Sequence, residues 1–193
     1  MNAIEIHKLS KSYGKVQALQ EVSFEVQQGE LFGLIGPDGA GKTTLFRLLT
    51  TLLNPDSGYA TIDGYDINKD YLSIRSRVGY MPGRFSLYPD LSVEENLQFF
   101  AALFGVKAED SYDLIAPIYK QIEPFRTRRA GKLSGGMKQK LALSCALIHR
   151  PSVLFLDEPT TGVDAVSRSE FWDMLDGLRQ RGITILVSTP YMD

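Results

Sequence analysis

The sequence predicts an α/β fold built on a mainly parallel sheet, and three observations carry that expectation. Strand-like apolar runs alternate with helix-like runs along the 193 residues. One apolar run, Leu31-Phe32-Gly33-Leu34-Ile35, leads directly into a glycine-rich turn and then a helix-like run, Leu45-Phe46-Arg47-Leu48-Leu49. Another, Val153-Leu154-Phe155-Leu156, has no polar alternation and ends on two acids, as a strand buried on both faces of a parallel sheet does. Parallel strands joined through helices require right-handed crossovers.

Taken in order, residues 4–9 alternate apolar and polar side chains, the pattern of a half-buried strand. Residues 22–26 repeat it, and Gly29 punctuates the turn before the third strand. Residues 59–62 read as a short strand closed by Asp63-Gly64, and residues 77–81 as another, stopped by Pro82-Gly83. Ser92-Val93-Glu94-Glu95 is a capping box, in which the Ser92 hydroxyl accepts the Glu95 N–H and Glu95 reaches back. It opens an amphipathic helix that runs through Phe104 and ends at Gly105. Further helical sequence continues to about Ile122 and again over residues 134–148. Residues 84–150 therefore read as a helical insert within one domain spanning residues 1–193, with Phe99 and Leu103 expected in its core. Residues 166–181 form a helix ended by Gly182, and residues 183–187 a last buried strand.

Composition excludes several classes. Hydrophobic residues are 44% and charged residues 23%, which suits a globular chain with a real core. A net charge of −2 gives no broad electrostatic case for nucleic acid, and none is expected as a partner. The single Cys145 excludes an internal disulfide and reads as a small core residue. His7 and His149 are isolated, so no zinc site is proposed. The apolar runs are too short to span a bilayer, and Met1-Asn2-Ala3-Ile4-Glu5 does not begin a signal peptide. A cytoplasmic chain is expected, docked at the membrane only through a partner.

Chemistry concentrates in three motifs. Gly36-Pro37-Asp38-Gly39-Ala40-Gly41-Lys42-Thr43-Thr44 fits G-x-x-x-x-G-K-S/T between a strand and a helix. Its glycines let backbone N–H groups converge on phosphate oxygens, and the helix behind offers its positive end to the same anion. Lys42 can reach the terminal phosphates of a nucleoside triphosphate, and the Thr43 hydroxyl can bind Mg²⁺. Asp157 and Glu158 follow a buried strand at the sheet edge where ligands bind; Asp157 is the candidate for Mg²⁺ and Glu158 for polarising the attacking water. In Leu133-Ser134-Gly135-Gly136-Met137, Ser134 is a good N-cap and the glycines leave N–H groups accessible. One chain cannot easily bring this helix end to its own phosphates, so it reads as a clamp for a second nucleotide.

With these residues in this order, the chain resembles the ATP-binding cassette (ABC) ATPases over essentially its whole length. Gly36 to Thr44 is similar to their Walker A, Leu133 to Met137 to their signature, and Val153 to Glu158 to Walker B with its catalytic glutamate. Asp164 resembles the D-loop aspartate, and Tyr13 the aromatic that stacks on adenine. The resemblance implies a P-loop NTPase core with an antiparallel β subdomain at the N-terminus and a helical signature subdomain. It implies ATP and Mg²⁺, a second cassette closing head to tail, and transmembrane permease subunits at the inner face of the cell membrane. The wording of the motifs is similar to bacterial multidrug-exporter ATPases, in particular the first cassette of tandem proteins. The family fold normally continues past Asp193, so a truncated, opening segment of a longer polypeptide is expected.

Two positions depart from the family. Gly83 stands where a glutamine usually contacts Mg²⁺ and the attacking water, and Pro190 where a histidine usually contacts the γ-phosphate. Binding with slow turnover at this cassette's own site is the expectation. A transport cassette also needs a groove for its membrane partner, with Arg84-Phe85-Ser86-Leu87-Tyr88 and Leu97-Gln98-Phe99-Phe100 as candidate lining. A soluble ABC ATPase without a permease, and a regulatory half that binds ATP without hydrolysing it, remain alternatives.

Overall fold

The computed structural model describes residues 1–84 and 86–190. Two sheets organise it. The first is antiparallel, in the order β2-β1-β4-β5, from β1 (Asn2–Tyr13), β2 (Val16–Gln27), β4 (Ser57–Ile62) and β5 (Tyr65–Asp66). The second is wholly parallel, in the order β3-β8-β7-β6, from β3 (Leu31–Ile35), β6 (Val78–Met81), β7 (Val153–Asp157) and β8 (Thr184–Thr189). The α/β class with an N-terminal antiparallel unit is as the sequence predicts.

The first two strands are much longer than their alternation suggests. Register shifts break the period at several points, and Lys8 and Glu21 hold positive φ values of 47° and 44° within them. Such bulges bend and twist a long hairpin and shift its side chains out of strict alternation. Ser23 and Ser10 hydroxyls accept the freed Lys8 and Glu21 N–H groups at 2.7 and 2.9 Å.

Helix α1 (Lys42–Leu49) follows β3 and packs on the parallel sheet, Phe46 lying edge-on to Phe155 at 5.7 Å. A short α2 (Tyr71–Arg75), like β5, has too few residues to show a period, and neither was expected. Between β6 and β7 run α3 (Val93–Leu103), α4 (Tyr112–Tyr119) and α5 (Gly135–Leu147), with α6 (Ala165–Gln180) before β8. The Ser92 capping box forms, with Glu95 N–H on Ser92 Oγ at 3.1 Å and Ser92 N–H on Glu95 Oε2 at 2.7 Å. Phe99 and Leu103 are a correction: they are 40% and 65% exposed, on the outer face of α3. Val93, Leu97 and Ala101 take the inner face instead, at the four-residue spacing of one helical stripe.

The core divides into two clusters that share the parallel sheet. Val153, Phe155 and Leu186 face the cluster formed with the antiparallel sheet and α1, while Leu154, Leu156, Ile185 and Val187 face the helices α3 to α6. Alternate residues of β7 thus enter opposite clusters, which is why that strand reads as an unbroken apolar run.

Candidate functional site

The site lies where β3 and β7 end at the same edge of the parallel sheet. The turn after β3 is held to its neighbour by Gly36 N–H on the Thr189 carbonyl at 3.3 Å, and folds back through Ala40 N–H on Pro37 O at 3.2 Å. Gly39 and Gly41 adopt φ values of 82° and 91°. Gly41 has a second constraint, since a Cβ there would stand 2.3 Å from the Ala18 carbonyl oxygen on β2. Only glycine satisfies both. The hairpin is thereby seated against the turn, and Tyr13 lies near its tip, 46% exposed.

Lys42 and Thr43 begin α1 and point at the end of β7. Lys42 Nζ donates to Gly36 O at 2.6 Å and Pro37 O at 3.0 Å, and lies 3.3 Å from Glu158 Oε1. Thr43 Oγ1 donates to Asp157 Oδ2 at 2.7 Å. The other Asp157 oxygen accepts from Ser188 Oγ at 2.6 Å, and Ser188 Oγ in turn accepts the Glu158 N–H at 3.0 Å. Glu158 itself takes a φ of 49°, a left-handed turn that sends the chain off the strand end. Asp157 and Ser188 are 3% and 0% exposed. On the neighbouring strand, burial and then the Asp157 charge push the Tyr80 hydroxyl up to about 12.

Four side chains the sequence singles out, Lys42, Thr43, Asp157 and Glu158, therefore meet within direct contact. Ser188 joins them; in the sequence it was only the residue two places before Pro190. Its role depends on the pairing of β7 with β8, which a linear reading does not contain. The hydroxyl and carboxylate oxygens at Thr43 and Asp157 are hard donors of the kind Mg²⁺ takes.

The departures sit in the same place. A Cβ on Gly83 would lie 3.0 Å from the Asp157 carbonyl oxygen and 3.9 Å from Glu158 Cβ. A cavity of about 160 Å³ opens beside Gly83, Gln139, Glu158 and Gly162. Pro190 directly follows Thr189, the residue that holds Gly36.

The Leu133–Met137 segment has different neighbours. Ser134 caps α5 and accepts the Met137 N–H at 3.3 Å, and Leu133 is buried behind it. Around Gly135 and Gly136 the nearest side-chain space is filled by Gly162, Val163 and Ser167. Asp164 caps α6, accepting the Ser167 N–H at 2.9 Å, and that bond lowers its carboxyl below the usual range. Gln139 of α5 donates to the Pro159 carbonyl. The α5 start is thus tied to the chain just after Glu158, with Ser134 exposed.

A mainly apolar groove of about 390 Å³ runs between β6 and the helices, lined by Tyr80, Leu87, Phe100, Leu103, Phe104 and His149 among others. Phe85 lies outside the described residues.

Residues 19–161 match the sequence profile of the family described as ABC transporter. The chain belongs to the ABC transporter family. As an ATP-binding cassette it is similar to the "Probable multidrug ABC transporter ATP-binding protein YbhF" of Escherichia coli strain K12, with 41% identity over 98% of this chain and 33% of that protein. It is 42% identical to the Nod factor export ATP-binding protein I of Paraburkholderia xenovorans, over 99% of this chain and 64% of that protein. The cassette thus spans about a third and just under two thirds of these relatives. Among solved structures it resembles cbiO1 from Clostridium perfringens, part of the ABC transporter complex cbiONQ, with a TM-score of 0.86 and 28% identity over 100% of this chain and 80% of that one. It also resembles the dimeric post-hydrolysis state of the ATP-binding cassette MJ0796 bound to ADP and Pi, with a TM-score of 0.84 and 26% identity over 96% and 87%.

Proposed function

We propose that this cassette binds MgATP at the turn 36–44 and hydrolyses it as the ATP-binding unit of an exporter. The convergence of Lys42 and Thr43 on Asp157 and Glu158 carries the reading. Lys42 holds two turn carbonyls and Glu158; a triphosphate would draw the ammonium to its β- and γ-oxygens and free Glu158. Thr43 and Asp157 would hold Mg²⁺, which neutralises charge on the phosphates when bound. Ser188 fixes the Asp157 carboxylate, and Glu158 accepts a proton from the attacking water. Tyr13, exposed near the hairpin tip, stacks on adenine.

Residues 84–150 act as a helical subdomain within the single domain. The exposed Ser134 end of α5 faces a second cassette's nucleotide, and Asp164 lies at the same junction; similarity to a dimeric, nucleotide-bound cassette supports this arrangement. The groove with Leu87, Phe100 and Leu103 takes a permease segment at the inner face of the membrane. Similarity to export proteins favours this over a soluble, permease-free ATPase.

Turnover at this cassette's own site is slow. Gly83 and Pro190 stand beside the acids and the turn, and removal of one charge-stabilising group from such a site costs about 2.7–4 kcal/mol. The restored variant Gly83→Gln with Pro190→His, assembled with its partner, is expected to raise single-turnover hydrolysis at this site by more than about tenfold. Unchanged turnover in a variant that still binds ATP would show that these positions do not limit it. Lys42→Ala is expected to abolish ATP binding, and full retention of affinity would remove the site assignment.

A further inference from the structure

Two basic residues line the small cavity beside Gly83: Arg84 from the loop after β6 and Lys138 from α5, together with Glu158. Its volume of about 160 Å³ is below the roughly 300–1,000 Å³ of small-molecule pockets. It admits a phosphate-sized group and not a whole nucleotide. Arg84 is exposed, and no hydrogen bond or ion pair with a described residue engages its guanidinium. Gly83 accounts for the place of Arg84. A Cβ on Gly83 would stand 3.0 Å from the Asp157 carbonyl oxygen, tighter than ordinary van der Waals contact. The loop therefore lies closer to the end of β7 than a residue with a side chain allows without displacement. That close approach sets the next residue, Arg84, on the wall it shares with Glu158.

Glu158 joins this cavity to the nucleotide turn. Its Oε1 lies 3.3 Å from Lys42 Nζ, so a terminal phosphate held by Lys42 arrives against the same carboxylate. Resting on the reading of residues 36–44 as an ATP site, we propose that Arg84 is a specificity-determining residue that binds the γ-phosphate and makes this cassette hold ATP in preference to ADP. A guanidinium presents its N–H donors as a planar fork that suits two phosphate oxygens. Its charge offsets that of Glu158, which otherwise opposes a phosphate beside it. It has no acceptor atom, so it neither ligates Mg²⁺ nor accepts a hydrogen bond from the attacking water, as the amide oxygen of a glutamine does. Arg84 thus supplies grip without placing water, a combination that keeps the site occupied and slow. ADP lacks the phosphate that reaches the cavity and gains nothing from Arg84.

Calorimetric titration of the full chain with ADP and with the non-hydrolysable β,γ-imido analogue of ATP, each with Mg²⁺, tests it. Arg84→Ala is expected to weaken the triphosphate about tenfold, as loss of one charge-assisted hydrogen bond does, and to leave ADP within about twofold. Arg84→Lys, which keeps the charge and loses the fork, recovers part of the loss. Arg84→Gln recovers none and carries the same test if Arg84→Ala does not fold, which thermal unfolding shows. An unchanged ratio of the two affinities, whether both hold or both fall together, overturns the proposal and leaves Arg84 to another contact. Lys42→Ala separates this from the reading beneath it. If the unaltered chain binds both nucleotides and Lys42→Ala abolishes binding while Arg84→Ala keeps the ratio, the role of Arg84 alone fails. If the unaltered chain binds neither, the ATP site and this inference fall together.

Discussion

Ser188 shows how one hydroxyl fixes two acids. It donates to Asp157 Oδ1 and accepts from the Glu158 N–H. Removing it leaves a buried Asp157 oxygen without its protein partner, at a cost of about 1–3 kcal/mol, while the Glu158 N–H keeps the Ser188 backbone carbonyl at 3.1 Å. Ser188→Ala is expected to lower the urea midpoint and to weaken Mg²⁺-dependent ATP binding more than binding without the metal. Equal losses in both would assign Ser188 to stability alone. His149 makes a different point. Its Nε2 pairs with the Val78 carbonyl at 2.9 Å, so that nitrogen carries the hydrogen, and Nδ1 is buried without a partner among the described residues. Burial holds the imidazole below its usual range, partly offset by the Val78 bond. The folded chain therefore keeps His149 neutral where the unfolded chain protonates it. Its contribution is complete above the unfolded value of about 6.5 and is lost as pH falls toward the folded value. Urea midpoints are expected to drop from pH 7.5 to 5.5 more steeply than in His149→Gln, which keeps a donor for Val78.

At the scale of elements, α5 has the widest set of connections. Its N-terminal end carries Ser134, its body packs on β6, and Gln139 reaches the chain after Glu158. Gly79 on β6 allows this approach, since a Cβ there would stand 2.4 Å from the Ala146 carbonyl. The seat that Gly41 offers β2 is a second close approach of the same kind. Helix α3 is braced by Asn96, fully buried, whose amide bonds Tyr88 N–H and the Tyr88, Leu91 and Ser92 carbonyls. That amide fixes the turn from Tyr88 to Ser92, next to Leu87 on the groove wall, through a side chain rather than regular structure.

The whole molecule rests on a parallel sheet with a cluster on each side. Phe155 belongs to the cluster of the antiparallel sheet and α1, while Trp172 packs against the cluster of the helices. Because β7 and β8 feed both, neither cluster can be lost alone without exposing the strands that serve the other. Phe155→Ala is expected to destabilise the chain by about 3–5 kcal/mol. It should shift Trp172 fluorescence and far-ultraviolet circular dichroism together. Trp172 unfolding at its unchanged midpoint while dichroism shifts would show two independent units.

What was legible in the sequence follows from locality. The glycine run, the capping box at Ser92, the buried run 153–156 and the Ser134 cap are set by residues within one turn or strand of each other, and each formed as its spacing implies. By itself the sequence determined the α/β class, the nucleotide motifs and the family. The tertiary structure alone decided that Ser188 serves Asp157, that Gly83 lies against Asp157 and Glu158, and that Phe99 and Leu103 face outward. Each of these depends on pairing between segments far apart in the chain, and such contacts arise from packing, which leaves no local periodicity to read.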